Sequence, residues 1–265
     1  MKLSESNFKE LVLEVKKAGN YAADEQKNVV RNFKPDGSVL TAIDTRLDSL
    51  LTQTIEKLFP GCRIVSEENP VDLKDPAEWT FTVDPIDGTD SFSQSMPGWC
   101  VAVGILDRNM NPSGAVIYAP TWGVKGGTLL TLAPGGDLFI NGEKYIPVQK
   151  EEDHPFQIMS GSKIHRYFDY HDFKWKIRTT GSGVLNIIGQ VIHSAVGGTL
   201  LTPCYIWDMA AAHAVIKKAG FNLEYLSHKT IDYEYLAQRK KAEDYLIAGS
   251  QEILAIIRRD FKTRK

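Results

Sequence analysis

The run from Trp79 to Phe92, Trp-Thr-Phe-Thr-Val-Asp-Pro-Ile-Asp-Gly-Thr-Asp-Ser-Phe, constrains the fold more than any other stretch of the chain. Its first five residues are all aromatic or β-branched, and they read as a buried strand. The strand leads into two acids placed either side of Pro85-Ile86. Pro85 disfavours helical geometry at Asp84, so the strand is expected to end there and the following tight turn to bring Asp84 and Asp87 onto one side. Two carboxylates facing one small volume repel each other unless a cation or protons neutralise them.

Read alone, Asp-Pro-Ile-Asp-Gly is an ordinary surface turn, Glu67 a loop charge and Asp208 a helix N-cap. Their co-occurrence argues otherwise, because Asp44, Glu67 and Asp208 all stand where a predicted strand or helix begins or ends. Clustered carboxylates without His or Cys suit a hard, oxygen-seeking ion, and magnesium is the natural candidate. Gly88 leaves room for a ligand to approach the backbone, and a helix starting at this point gives the Gly88 and Thr89 amides the capacity to bind phosphate.

Around this segment the periodicity predicts an amphipathic helix through Phe8, Leu11, Val15, Ala18 and Ala22, capped by Ser4 or Ser6. A second helix is expected from about Ile43 to Leu58, stopped by Pro60-Gly61 and carrying Asp44 in its first turn. Strands are predicted at Arg63–Val65, Trp79–Val83, Trp99–Leu106 and Ala115–Tyr118, with an antiparallel meander over 115–148. Beyond the charged loop 150–154, strands at 157–160, 175–178 and 245–248 alternate with helices over 184–193, 208–219 and 251–259. The expectation is an α+β half, residues 1–150, holding most of the acids, followed by an α/β half, residues 151–265, contributing Asp208.

Composition removes several function classes. With 31 Lys and Arg against 33 Asp and Glu, no global field draws the chain to a nucleic-acid polymer or an anionic membrane. The amino-terminal residues are mixed and charged, and no apolar run is long enough to span a bilayer, so a cytoplasmic protein is expected. Cys62, Cys100 and Cys204 lie far apart among apolar neighbours and read as buried reduced thiols. His193, inside an apolar helix, reads as a packed or capping residue. Gly126-Gly127 lacks the Lys-Ser/Thr of a phosphate-binding P-loop, and no Gly-x-Ser-x-Gly elbow is present, so NTPase and serine hydrolase chemistry are not expected.

The motifs together resemble the inositol monophosphatase superfamily. Asp84 to Thr89 reproduces its central Asp-Pro-Ile-Asp-Gly-Thr, Ser38-Val39-Leu40-Thr41-Ala42-Ile43-Asp44 looks like its Val-Thr-x-x-Asp element, and Ser66-Glu67-Glu68 like its Gly-Glu-Glu with Ser for Gly. Trp207-Asp208-Met209-Ala210-Ala211 is similar to its closing Trp-Asp-x-Ala-Ala, and order and spacing agree. The resemblance implies layered α-β-α-β-α subunits, a mostly antiparallel amino-terminal sheet with a mixed carboxy-terminal one, a homodimer, and lithium-sensitive hydrolysis of a small phosphorylated substrate. It implies that Glu67, Asp84, Asp87, Asp208 and the Ile86 carbonyl hold two magnesium ions, with Asp44 completing a third site. Thr89 and Asp44 then orient the attacking water. Asp87, Gly88, Thr89, Gly181, Ser182, Gly183 and Asp208 meet the substrate. The Ser66 change is expected to be without effect. At the position seven residues before Asp208, where the family typically places an inositol-gripping Glu, stands Leu201, so a sugar phosphate, histidinol phosphate or a 3'(2'),5'-bisphosphate nucleotide remains open as substrate. A non-catalytic relative that binds metal or phosphate is the rival class.

Overall fold

In the computed structural model, residues 3–69, 77–123, 126–147 and 157–264 are described. Helix Glu5–Glu25 begins at Ser4, whose hydroxyl accepts the Asn7 amide, and buries Phe8, Leu11, Val15, Ala18 and Ala22. Helix Ala42–Leu58 starts on a full capping box: Thr41 accepts the Asp44 amide and the Asp44 carboxylate accepts the Thr41 amide. Such a cap contributes about 1 kcal/mol. Here it also fixes the direction of a candidate site acid.

Both helices lie on one face of a seven-stranded sheet. Its strands run in sequence order: Arg63–Ser66, Thr80–Asp87, Cys100–Leu106, Pro112–Ala119, Thr128–Leu132, Leu138–Ile140 and Glu143–Lys144. The first pair is parallel and every other pair antiparallel. Alternation assigns the faces. Val101, Val103 and Ile105 meet the two helices, while Cys100, Ala102 and Leu106 point to the opposite side.

That opposite side packs on helices Gly183–Ile192 and Ala210–Lys218, which separate the first sheet from a five-stranded second one. Its order is Ile177–Arg178, Gln157–Ser160, Val196–Leu201, Leu246–Gly249, Asn222–Tyr225; the first three strands are parallel and the last two antiparallel additions. Helix Gln251–Asp260, capped by Ser250, covers the outer face through Ile253, Leu254 and Ile257. The result is the expected five-layer α-β-α-β-α stack. One buried cluster runs from Cys100 and Ile117 through Ile187 and Ala211 to Ala248, so residues from both sheets share a core.

The expected boundary at 150/151, the loop 150–154 and the end of the meander at Val148 lie outside the described residues. Strand Val196–Leu201, central to the second sheet, is absent from the sequence reading because Gly197-Gly198 dilutes its pattern; strand Asn222–Tyr225 and the short helix Tyr233–Ala237 also escaped it. None of the three cysteines forms a disulfide among the described residues, and only Cys100 is fully buried, while Cys62 and Cys204 are half-buried. His193 is the C-cap residue of its helix and packs edge-on to Trp122.

Candidate active site

The strand carrying the acidic motif does not stop at Asp84. It continues through Pro85 to Asp87, with Asp84 opposite Ala102 and Asp87 opposite Cys100, three steps against two on the partner strand. In a regular strand, residues three apart face opposite sides. The extra residue of this bulge turns both carboxylates to the same side, and Pro85 sits where a ladder donor is dispensable. The outcome expected of a turn is therefore reached by a bulged strand.

Glu67 arrives beside them because its amide donates to the Val83 carbonyl (3.1 Å), extending the parallel pairing past the end of its own strand. Asp208 comes from the other half of the chain. It precedes helix Ala210–Lys218 rather than capping it, and its carboxylate turns back to accept the Tyr205 amide at 2.7 Å. The helix approaches closely because Gly104 faces it. A Cβ at that position would stand 2.7 Å from the Ala211 nitrogen and 2.5 Å from Thr82 Oγ1. Ala210, Ala211 and Ala212 keep the helix side of the contact equally small.

As a result, one carboxylate oxygen from each of Asp84, Asp87 and Asp208 lies within 4.8 Å of the others. Burial, the largest cause, raises the pKa of Asp84 and Asp208 well above the carboxylate range. Glu67, Asp87, Asp208 and Asp44 add repulsion at Asp84, which places all five predicted acids in one electrostatic neighbourhood. Burial also lifts Glu67 to about 7 against the pull of Lys34, and lifts Asp87 to about 6 against its hydrogen bonds. The donor set is oxygen-only, crowded and strained by its own charge, which fits a divalent oxygen-seeking cation.

Asp87 is the most heavily supported acid. The Ser182 hydroxyl and the Val184 amide (2.7 Å) donate to its Oδ2, and the Gly183 amide (3.2 Å) to its Oδ1. It thus occupies the N-terminus of helix Gly183–Ile192, of which Ser182 is the N-cap. Residues 182 and 183, expected at the substrate, hold this acid; Gly181 and Gly183 also line the adjoining cleft. Gly88 adopts φ +97°, and a Cβ there would meet the Gly98 carbonyl at 2.8 Å. It starts the short helix Thr89–Ser93. Thr89 Oγ1 is 3.0 Å from both the Asp44 carboxylate and the Ile86 carbonyl.

Several contributors escaped the sequence reading. Asp48, fully buried one turn after Asp44, accepts the Ser66 hydroxyl, the Glu68 amide (3.2 Å) and the Asn69 side-chain amide (2.5 Å). It pins the loop that carries Glu67. Ser66 is therefore not a neutral replacement for glycine, since its hydroxyl makes one of those bonds. The legible signal for Asp48 was its position four residues from Asp44 on the buried helix face. Lys34 bridges Glu67 (2.8 Å) and Glu68 (2.7 Å). Arg239 donates to the Ser66 and Glu67 carbonyls and lies 4.9 Å over the Trp207 ring. No spacing rule links these cations to the acidic motifs.

Two lobes open from the cluster and share Cys204 and Asp208. One, about 430 Å³, is bordered by Lys34, Glu67, Trp207, Arg239 and Lys241. The other, about 300 Å³, is bordered by Asp87, Lys163, Gly181, Gly183 and Leu201. Leu201 closes its strand at 5% exposure, so the wall at this point is apolar.

A five-layer stack with a carboxylate-floored cleft at the strand ends is the arrangement of a phosphoric monoester hydrolase. Residues 5–257 match the profile of the inositol monophosphatase family, and the chain belongs to that family. A fructose-1,6-bisphosphatase of Pyrococcus furiosus is 27% identical over 227 residues, spanning 85% of this chain and 84% of that protein. A 3'(2'),5'-bisphosphate nucleotidase, CysQ, of Buchnera aphidicola is 25% identical over 217 residues, spanning 78% and 79%. The solved structure of an IMPase/NADP phosphatase complexed with Mg2+ and phosphate shares the fold at a TM-score of 0.76, with 18% identity and 94% coverage of both chains. No helix among the described residues is long and apolar enough to cross a membrane.

Proposed function

We propose that the chain is a magnesium-dependent phosphomonoesterase that transfers the phosphoryl group of a small ester to water, without a covalent phosphoenzyme. The observation that carries this reading is the convergence of the Asp84, Asp87 and Asp208 oxygens within 4.8 Å. Glu67, Asp84, Asp87, Asp208 and the Ile86 carbonyl are the groups to hold two ions, and Asp44 the group to complete a third site. When bound, such ions acidify water and offset the charge developing on the phosphoryl group and leaving oxygen.

The chain's own groups do the rest. With its proton directed to Asp44 or to the Ile86 carbonyl, Thr89 Oγ1 keeps lone pairs free to accept a hydrogen bond from water and orient it. The Gly88 and Thr89 amides lie beside Asp87 and serve the phosphate, and Gly181, Gly183 and Asp208 face the alcohol half, with the buried Ser182 behind them holding Asp87. The magnesium-and-phosphate complex of the structural relative supports the metal assignment.

One observation favours a narrower reading of the substrate. Leu201 offers no hydroxyl-gripping acid, while Lys163 borders the same lobe and makes no ion pair with a described residue. That wall suits an alcohol half carrying a second anion, as in a sugar or nucleotide bisphosphate, better than inositol monophosphate or the cationic histidinol phosphate. Two of the relatives are named for bisphosphates. Lithium sensitivity and a homodimer complete the reading on the strength of the family resemblance, and a cytoplasmic setting on that of the wide cysteine spacing and the charged amino-terminal residues; light scattering that finds only monomer removes the dimer.

The test is phosphate release from a panel of inositol, sugar, histidinol and nucleotide phosphates, with magnesium and then with chelator. Activity is expected only with the metal. Asp87→Asn is expected to lower it about 10³-fold, the rate equivalent of several kcal/mol. A folded Asp87→Asn protein with most of its activity overturns the assignment.

A further inference from the structure

Among the described cations around the cleft, Lys34 alone pairs with Glu67 and Glu68. Its ammonium group lies 2.8 Å from Glu67 Oε1 and 2.7 Å from Glu68 Oε1, with the Lys34 and Glu67 side chains 21% exposed and that of Glu68 10%. Its backbone is held in place by the turn that joins strands Asn32–Phe33 and Val39–Leu40: the Lys34 amide donates to the Ser38 carbonyl at 2.8 Å, and the Gly37 amide to the Lys34 carbonyl at 2.9 Å. Asp36 accepts the Ser38 amide at 3.0 Å and closes the same turn. The chain therefore delivers a fixed positive charge to one of the carboxylates assigned to the metal.

Glu68 has no other evident task. Neither glutamate is among the three acids whose oxygens converge, but Glu67 adds repulsion at Asp84 and Asp208 whereas Glu68 adds it at Asp44; Glu68 is the less exposed of the pair and shares the same ammonium. Two acids on one lysine, only one of them facing Asp84 and Asp208, form an exchange device. The ammonium can leave Glu67 without losing its ionic partner.

We propose that Lys34 is a built-in counter-ion that competes with the metal for Glu67, and that Glu68 is the acid that retains the lysine when Glu67 turns to the metal. This rests on the metal reading above. A positive charge within hydrogen-bonding distance of a ligand oxygen opposes a divalent cation at that oxygen, and it relieves the repulsion among the acids when no cation is bound. The device trades metal affinity for an apo site that stays folded, and Glu68 sets the exchange point.

Two variants of the full-length protein test it, read by calorimetric titration with Mg2+ and by thermal unfolding after chelation. Lys34→Met removes the competitor, and Mg2+ binding is expected to tighten about three- to tenfold while the chelated protein melts at lower temperature. Glu68→Gln leaves Lys34 on Glu67 alone, and Mg2+ binding is expected to weaken by a similar factor. Opposite signs in the two variants are the signature. If both weaken binding, or neither changes it, Lys34 only props the loop and the proposal falls. If Lys34→Met does not fold, Lys34→Gln takes its place, and the opposite signs of the lysine and Glu68→Gln variants remain the deciding observation. Wild-type protein that binds no divalent ion overturns the metal reading itself, an outcome distinct from equal affinities among the variants.

Discussion

The floor of the cleft and its walls are made from different kinds of structure. On the floor, each acid is aimed by backbone: Asp84 and Asp87 by a bulge in register with Ala102 and Cys100, Glu67 by the Val83 carbonyl, Asp44 by a capping box, and Asp208 by the Tyr205 amide. On the walls, Lys163 and Lys241 are exposed side chains on connecting segments. Groups held by regular hydrogen bonding keep their positions within a fraction of an ångström, which phosphoryl chemistry requires. Loop-borne groups can be exchanged with little cost to the fold, which lets one floor serve many alcohols. On the reading proposed above, chemistry rests on the hydrogen-bonded backbone of the floor, while selectivity rests on these exchangeable side chains together with Leu201 at the end of its strand.

The largest expected effect that would break this division comes from Ser182. Removing its hydroxyl in Ser182→Ala takes a buried donor from Asp87, and kcat is expected to fall about 10- to 100-fold, the equivalent of 1.5–3 kcal/mol for a bond to a charged group. The loss should be the same for every substrate hydrolysed. A loss confined to one ester places Ser182 with the walls instead.

A second effect concerns stability. Folding raises the pKa of Glu67 from 4.5 to about 7 and of Asp87 from 3.8 to about 6. Between those values the folded chain binds more protons than the unfolded one, so metal-free stability is greatest below the unfolded values and falls as pH rises through 6 and 7. The expected loss is on the order of 1–3 kcal/mol between pH 4.5 and 7.5, before any acid unfolding from other groups. Melting curves across that range should show the decline in chelator and its reversal in magnesium. A flat or rising profile in chelator would mean that the floor acids are not crowded.

Gly104→Ala sharpens the comparison from beneath. The added methyl pushes on the Ala211 nitrogen and is expected to cost about 1–3 kcal/mol. Because the helix behind Asp208 shifts with it, metal affinity should fall along with the melting temperature; a fall in melting temperature alone would separate Asp208 from that seam. The smallest effect belongs to the wall. Lys163→Gln is expected to raise KM for a bisphosphate about three- to tenfold, corresponding to about 0.7–1.4 kcal/mol for an exposed charge pair, with kcat and the KM of monophosphates unchanged. Equal changes for both substrate types remove Lys163 from substrate selection.

The same division explains what could be read from the linear chain. Asp44, Glu67, Asp84, Asp87, Thr89 and Asp208 were legible because each sits in a short local pattern, and the structure brings their neighbourhoods together as expected. The manner in which Asp84 and Asp87 come to share a face was not legible. A bulge is a relation between two strands, and nothing near Pro85 records that Ala102 and Cys100 lie opposite. Asp48 stands one turn from Asp44 on the buried helix face, but its partners Ser66, Glu68 and Asn69 lie beyond the reach of that periodicity, as Glu67 does for Lys34; Ser66 looked neutral because its partner, Asp48, had not been identified. Strand Val196–Leu201 was lost to its two glycines, although it closes on Leu201, the residue that bears most on the choice of substrate.

The small-residue seam at Gly104 and Ala211 has a consequence for synthesis of the protein. Asp84, Asp87, Glu67 and Asp44 all leave the ribosome well before Asp208, and the helix that follows Asp208 must dock before the last carboxylate is in place. On the metal reading proposed above, a nascent chain that carries the first four acids lacks the fifth until that helix is in place, so the cation site is completed late in translation.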